Sequence, residues 1–107
     1  MNVFLTGASS GIGAALAREF AGRGATLGLV ARRQPLLDEL IGTLPGVHHA
    51  YACDVTDRDA LIAAARAFDA ATGGAEVVIA NAGISEGVLT EYYEDLDAFR
   101  RVMDTNV

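Results

Sequence analysis

Gly7, Gly11 and Gly13 stand within seven positions of one another, directly after the apolar run Val3-Phe4-Leu5 and Thr6. Glycine inside a strand or helix costs roughly 0.5–1 kcal/mol relative to alanine, so three of them so close together imply a task for the bare backbone. A glycine-rich turn from a strand into a helix lets the main chain approach an anion closely. The helix N-terminus adds free N–H groups and the positive end of its dipole. The chemistry of such a loop is phosphate binding; the plain alternative is a tight turn that binds nothing. The loop is not a P-loop. That motif needs Gly-Lys-Ser/Thr, and the chain contains no lysine: its eight basic residues are all arginine.

Other reactive side chains are sparse. Cys53 is the only cysteine, which excludes an internal disulfide and a multi-cysteine zinc site. It reads as a small buried residue at a strand end. His48 and His49 are adjacent in an extended stretch, so one is expected to be buried and the other exposed. No further ligands gather near them to hold a metal. Tyr51 falls in a strand, and Tyr92-Tyr93, between Glu91 and Glu94, reads as a packing pair.

The elements that must position the loop alternate along the chain. Residues 2–6 read as a strand and 11–23 as a helix, with Ile12, Leu16 and Phe20 on one face and Gly24 as its stop. Residues 25–31 form a near-continuous apolar strand of the kind buried on both faces. Pro35 opens a second helix carrying Leu36, Leu37, Leu40, Ile41 and Leu44, and Pro45-Gly46 closes it. Residues 47–52 are a third strand. Thr56, with Asp59 three positions on, reads as the start of a third helix that presents Leu61, Ala64, Ala65 and Phe68 and ends near Gly73-Gly74. Residues 76–80 are a fourth strand and 81–93 a loop. A last helix carries Leu96, Phe99 and Met103. Helical crossovers return the chain in one direction, so this is an α/β fold with a parallel sheet and helices on both faces.

The bulk numbers narrow the partners. One domain of 107 residues, 51% apolar, can bury a core. A net charge of −6 argues against a nucleic-acid partner, which wants a basic face. No apolar run approaches the roughly 18 residues that suit a membrane span, and no signal peptide is apparent. A cytoplasmic protein is the expectation.

The ordered motifs then carry a resemblance. Thr6-Gly7-x-x-x-Gly11-x-Gly13, Asp54-Val55 after the third strand, Asn81-Ala82-Gly83 after the fourth and Asn106 in "TNV" resemble the short-chain dehydrogenase/reductase family in its single-domain branch. Residues 1–107 are similar to the N-terminal part of a longer domain of that family. The resemblance implies an incomplete Rossmann-type doubly wound sheet with its first four strands in the order 3-2-1-4, which leaves the fourth as an apolar edge. It implies a nicotinamide dinucleotide held by Thr6, Gly7, Ser9, Ser10, Gly11, Ile12 and Gly13. Asp54 would meet the adenine amino group and Val55 would line the base pocket. Asn81, Ala82 and Gly83 would approach the ribose, with Asn81 also bracing the sheet. Asp54 equally fits a turn cap, and Gly83 a plain turn residue.

The family's acidic position at the end of the second strand falls at Ala31, and Arg32 and Arg33 follow. An acid there would favour the 2′-hydroxyl of NAD(H), whereas a guanidinium can hold a 2′-phosphate with two parallel bonds. NADP(H) is therefore expected rather than NAD(H). Arg32 is the main contact and Arg33 a weaker one, because neighbouring side chains point apart; two solvated surface arginines are the alternative. Of the family's catalytic groups, Asn106 matches the asparagine, with a polar residue near a helix end as its bland reading. The Ser and the Tyr-x-x-x-Lys pair have no counterparts, so the 107 residues alone are expected to be inactive. The family acts on small carbonyl or alcohol substrates and commonly forms homo-oligomers. A non-catalytic nucleotide-binding module of the same fold is the competing function.

Overall fold

A computed structural model of the chain describes residues 1–9 and 11–81. Seven elements alternate in order: β1 (Asn2–Thr6), α1 (Gly11–Gly22), β2 (Thr26–Ala31), α2 (Gln34–Gly42), β3 (His49–Ala52), α3 (Arg58–Thr72) and β4 (Val77–Ile79). The strands form one parallel sheet in the order β3-β2-β1-β4. This is the Rossmann-type arrangement, and among the described residues β4 is an edge.

The period of two in the central strands divides the core. Val3 and Leu5 of β1 face the same side as Leu27, Leu29 and Ala31 of β2, where Ala17 and Ala21 of α1 and Leu37 and Leu40 of α2 cover them. Phe4 and Val30 face the other side, under Leu61, Ala64, Ala65 and Phe68 of α3. Both faces are thus buried, which explains why β1 and β2 read as continuous apolar runs. Gly28 sits where α3 crosses: a Cβ there would come within 2.6 Å of the Phe68 ring. Only a bare backbone lets that ring lie on the sheet.

Several local expectations are corrected. Helix α1 does not bury Ile12, Leu16 and Phe20 as its contact face. Its buried residues are Gly13, Ala17 and Ala21, while Leu16 and Phe20 flank the core and Ile12 is 70% exposed. The helix approaches the sheet so closely that small side chains must form the seam. Helix α2 ends at Gly42 with Thr43 as its C-cap, and Leu44 is buried in the turn that leads to Pro45-Gly46.

Helix α3 starts one residue later than Thr56 suggests. Asp57 is its N-cap and accepts from the Ala60 N–H at 3.1 Å. The Thr56 hydroxyl is engaged elsewhere, donating to Asp54 Oδ1 at 2.8 Å. Gly73, with φ +89°, closes the helix as expected.

Strand β3 begins at His49 rather than Val47, and the two histidines are both half-buried. The His48 side chain takes the place of the ladder. Its Nδ1 accepts from the Leu27 N–H at 3.1 Å, and its Nε2 lies 2.7 Å from the Pro45 carbonyl. Nε2 therefore carries the ring hydrogen. Replacing His48 with alanine would leave a buried strand N–H without its partner. A loss of about 1–3 kcal/mol is expected, read by urea denaturation. Cys53 is likewise half-buried rather than buried, although it does stand at the end of β3, with its N–H on the Ala31 carbonyl at 3.0 Å. Burial first, and then the Asp57 and Asp54 carboxylates, push its thiol pKa up, the wrong direction for a nucleophile at neutral pH.

Candidate cofactor site

The site lies beyond the C-terminal ends of β1 and β2, where an open parallel sheet binds ligands. Thr6 ends β1 fully buried. Its hydroxyl donates to the Ile79 carbonyl at 3.5 Å and accepts from the Asn81 N–H at 3.1 Å. Asn81 Nδ2 in turn donates to the Gly7 carbonyl at 3.3 Å. The Ala8 N–H reaches the Val30 carbonyl at 3.1 Å. These bonds pin the start of the glycine loop between the ends of β4 and β2.

The three glycines have separate reasons. Gly7 adopts φ +66°, and a Cβ there would stand 2.6 Å from the Asn81 carbonyl oxygen. A Cβ on Gly13 would land on the Gly7 carbonyl oxygen and within 2.8 Å of its carbon, so this glycine sets how closely α1 meets the loop. Gly11 differs. A Cβ on it would meet no atom within 4 Å, and its φ is not positive. Among the described residues nothing requires glycine there. Its bare backbone opens the first turn of α1 to solvent, which fits a site that an anion must approach closely.

Beside the loop is a cavity of about 540 Å³ lined by Gly7, Ser9, Ala31, Arg32, Arg33, Leu36 and Val55. It joins residues from four segments: the loop, the end of β2, the first turn of α2 and the β3–α3 turn. The two arginines are not separated by strand alternation. β2 ends at Ala31, so Arg33 already belongs to the entry of α2 as its N-cap, and both line the same space. Among the described residues no carboxylate lines that cavity. Two guanidinium groups and the Ser9 hydroxyl, lining one cavity, form a donor set that suits an anion.

Asp54 lies outside the lining residues, at the exposed turn before α3. Its Oδ1 accepts from the Thr56 N–H at 2.9 Å and from the Thr56 hydroxyl at 2.8 Å, closing an Asx turn. The backbone bond, then the hydroxyl bond, hold its carboxyl below its ordinary value; desolvation opposes them and Arg32 assists. A depressed folded-state pKa gives stability that is present above the ordinary value of 3.8 and lost as pH falls through the folded one. Asp54→Asn is therefore expected to flatten the acid limb of the stability–pH curve, measured by urea denaturation.

Of the other residues the sequence singled out, Ile12 is exposed at the start of α1 and Gly13 is buried beneath it. Ser10, Ala82, Gly83 and Asn106 lie outside the described residues, as do Tyr92, Tyr93 and the expected last helix. Leu36 was not anticipated at the site. The available signal was its position beside Leu37: two adjacent helical leucines cannot share one buried face, so one of them had to point elsewhere.

A strand, glycine turn and helix at the edge of such a cavity are the arrangement that Rossmann-type sheets share. The particular family follows from comparison. The family model for short chain dehydrogenase matches residues 1–107. An uncharacterized oxidoreductase of Mycobacterium bovis is 36% identical over 97% of this chain and 33% of its own length. A sulfoacetaldehyde reductase of Chromohalobacter salexigens is 36% identical over 98% of this chain and 42% of its own. A metagenomic short-chain oxidoreductase solved in complex with NADP superposes with a TM-score of 0.73 at 37% identity, over 78% of this chain and 39% of its own. The chain belongs to the short-chain dehydrogenase/reductase family. It spans about a third of the length of the first of these curated relatives.

Proposed function

We propose that this chain is the cofactor-binding part of an NADP(H)-dependent oxidoreductase acting on a small carbonyl or alcohol. The observation that carries the reading is the cavity beside the glycine loop, where Arg32 and Arg33 stand together and, among the described residues, no carboxylate lines the wall. The structural relative solved with NADP supports it. In this reading Gly11 and the first turn of α1 receive the pyrophosphate, Val55 lines the base pocket, and Arg32 with Arg33 holds the 2′-phosphate. Asp54 meets the adenine amino group with the carboxylate oxygen that the Asx turn leaves unused. Asn81, Ala82 and Gly83 border the ribose, and Ser9 and Ser10 add hydroxyl contacts. When bound, the dinucleotide supplies or accepts the hydride. The chain's residues fix the adenosine end so that the nicotinamide is presented in one place.

Saturable enhancement of NADPH fluorescence, displaced by 2′,5′-ADP, is the expected result of a titration; no saturable signal would reject the reading. With no lysine, these 107 residues cannot form the Tyr-x-x-x-Lys pair that the family uses as proton donor. The 107 residues alone are therefore expected to bind cofactor without turnover. NADPH oxidation by the chain with a carbonyl substrate, followed by absorbance, would contradict that. The remaining proposals are that Asn106 serves the proton relay and that the whole protein is a cytoplasmic homo-oligomer.

A further inference from the structure

Leu36 lines the cavity, and phosphate chemistry has no use for it. Leu36 stands in the first turn of α2 and is 41% exposed, although the next residue, Leu37, is fully buried. A single exposed leucine is ordinary. This one is not isolated: with Ala31 from the end of β2 and Val55 from the β3–α3 turn, it gives the cavity an apolar wall built from three segments. The arginines occupy the same space. A wall of that kind beside two guanidinium groups suits a ligand with a flat apolar face close to a phosphate, and a nucleobase joined to a phosphorylated ribose has that form.

We infer that Leu36 packs against the adenine ring of the bound cofactor and sets the affinity for the adenosine half of the molecule. The inference rests on the reading that this cavity takes the adenosine end. It adds a base contact from α2 to the loop, β2 and β3–α3 contacts already described. Because the contact is with the base, it is shared by phosphorylated and unphosphorylated adenosine ligands, whereas the Arg32 contact is not. The isobutyl group is partly exposed in the free protein and lies outside both core clusters, so trimming it opens no cavity in the core.

The test is an equilibrium titration of the full chain with 2′,5′-ADP and with 5′-AMP. Leu36→Ala is expected to weaken both by the same factor, about three- to tenfold, which is the worth of one or two lost apolar carbons in contact. Leu36→Gln keeps the length and the helix propensity but wets the contact, and it should weaken both as well. Leu36→Met should restore both. Arg32→Ala should weaken 2′,5′-ADP alone. Thermal midpoints of the Leu36 variants should match that of the parent chain. Unchanged affinity for both ligands in Leu36→Ala, with the parent chain binding them, overturns the inference and leaves the cavity reading intact. Weakening confined to 2′,5′-ADP also overturns it, because Leu36 would then act through the phosphate. If the parent chain binds neither ligand, the cavity reading falls and the inference falls with it.

Discussion

Gly13→Ala is expected to destabilise the chain by about 3 kcal/mol or more and to abolish cofactor binding, whereas Gly11→Ala should leave the fold intact and weaken binding alone. The contrast comes from what the added methyl group meets. At Gly13 it falls on the backbone carbonyl of Gly7, and Ala8 Cα is 3.0 Å away. Neither is a flexible side chain that can swing aside. Relief requires α1 to lift from the sheet, which would open the seam made by Ala17 and Ala21, or the loop to shift against its bonds from Asn81 and Ala8. Overpacking into a well-packed site typically costs about 1–3 kcal/mol and occasionally more, and backbone-on-backbone contact belongs at the upper end. Native domains have only about 5–15 kcal/mol in hand, so the variant should melt well below the parent chain. At Gly11 the methyl group meets nothing within 4 Å among the described residues. Alanine there removes a helical glycine, so stability should hold or rise slightly. Any loss of NADPH affinity in Gly11→Ala then reports the ligand's approach to the loop. Paired thermal melts and nucleotide titrations of the two variants check both halves.

Arg32→Asp should invert the cofactor preference. Hydrogen bonds to charged groups are worth about 1.5–3 kcal/mol, so loss of the guanidinium alone should cost roughly ten- to a hundredfold in NADPH affinity. The aspartate then adds repulsion toward a 2′-phosphate and an acceptor for a 2′-hydroxyl, so NADH should bind as well as before or better. Arg33→Ala should also reduce NADPH affinity, because Arg33, at the N-cap of α2, lines the same cavity as Arg32. The comparison that isolates the phosphate is the ratio of NADPH to NADH affinity in each variant.

The features most legible in the sequence were those in which backbone freedom is itself the signal. The strand–glycine loop–helix order predicted β1, the turn and α1, and the apolar runs predicted a parallel sheet buried on both faces. The family resemblance added the 3-2-1-4 strand order. What was missed has a common physical cause: side chains that bond to the backbone leave no periodic trace. His48 replaces a rung of the β2–β3 ladder, so β3 starts later than its apolar pattern suggests. Asp54 holds Thr56, so the next residue, Asp57, caps α3. Asn2 is a third case: its side chain donates to the Thr72 and Gly74 carbonyls at 3.1 Å each, sealing the end of α3 to the start of β1. In α1, the hydrophobic period pointed to the largest residues. Close packing chose the smallest, one position over, because Gly13 brings that helix against the loop.

At the site, the arginine pair was visible as a pair. That both would line one cavity was not, because it depends on β2 ending at Ala31. Leu36 was hidden for a similar reason: a helical leucine is ordinarily counted as core until its neighbour takes the core position.

The central claim is that the Arg32-Arg33 end of the cavity receives a 2′-phosphate. Calorimetric titration of the unmodified chain with NADPH and with NADH, in the same buffer at low salt, tests it most directly. The expected result is NADPH binding at least tenfold tighter than NADH, the effect of about 1.4 kcal/mol from one charge-assisted phosphate contact. NADH binding as tightly as NADPH, or more tightly, would contradict it.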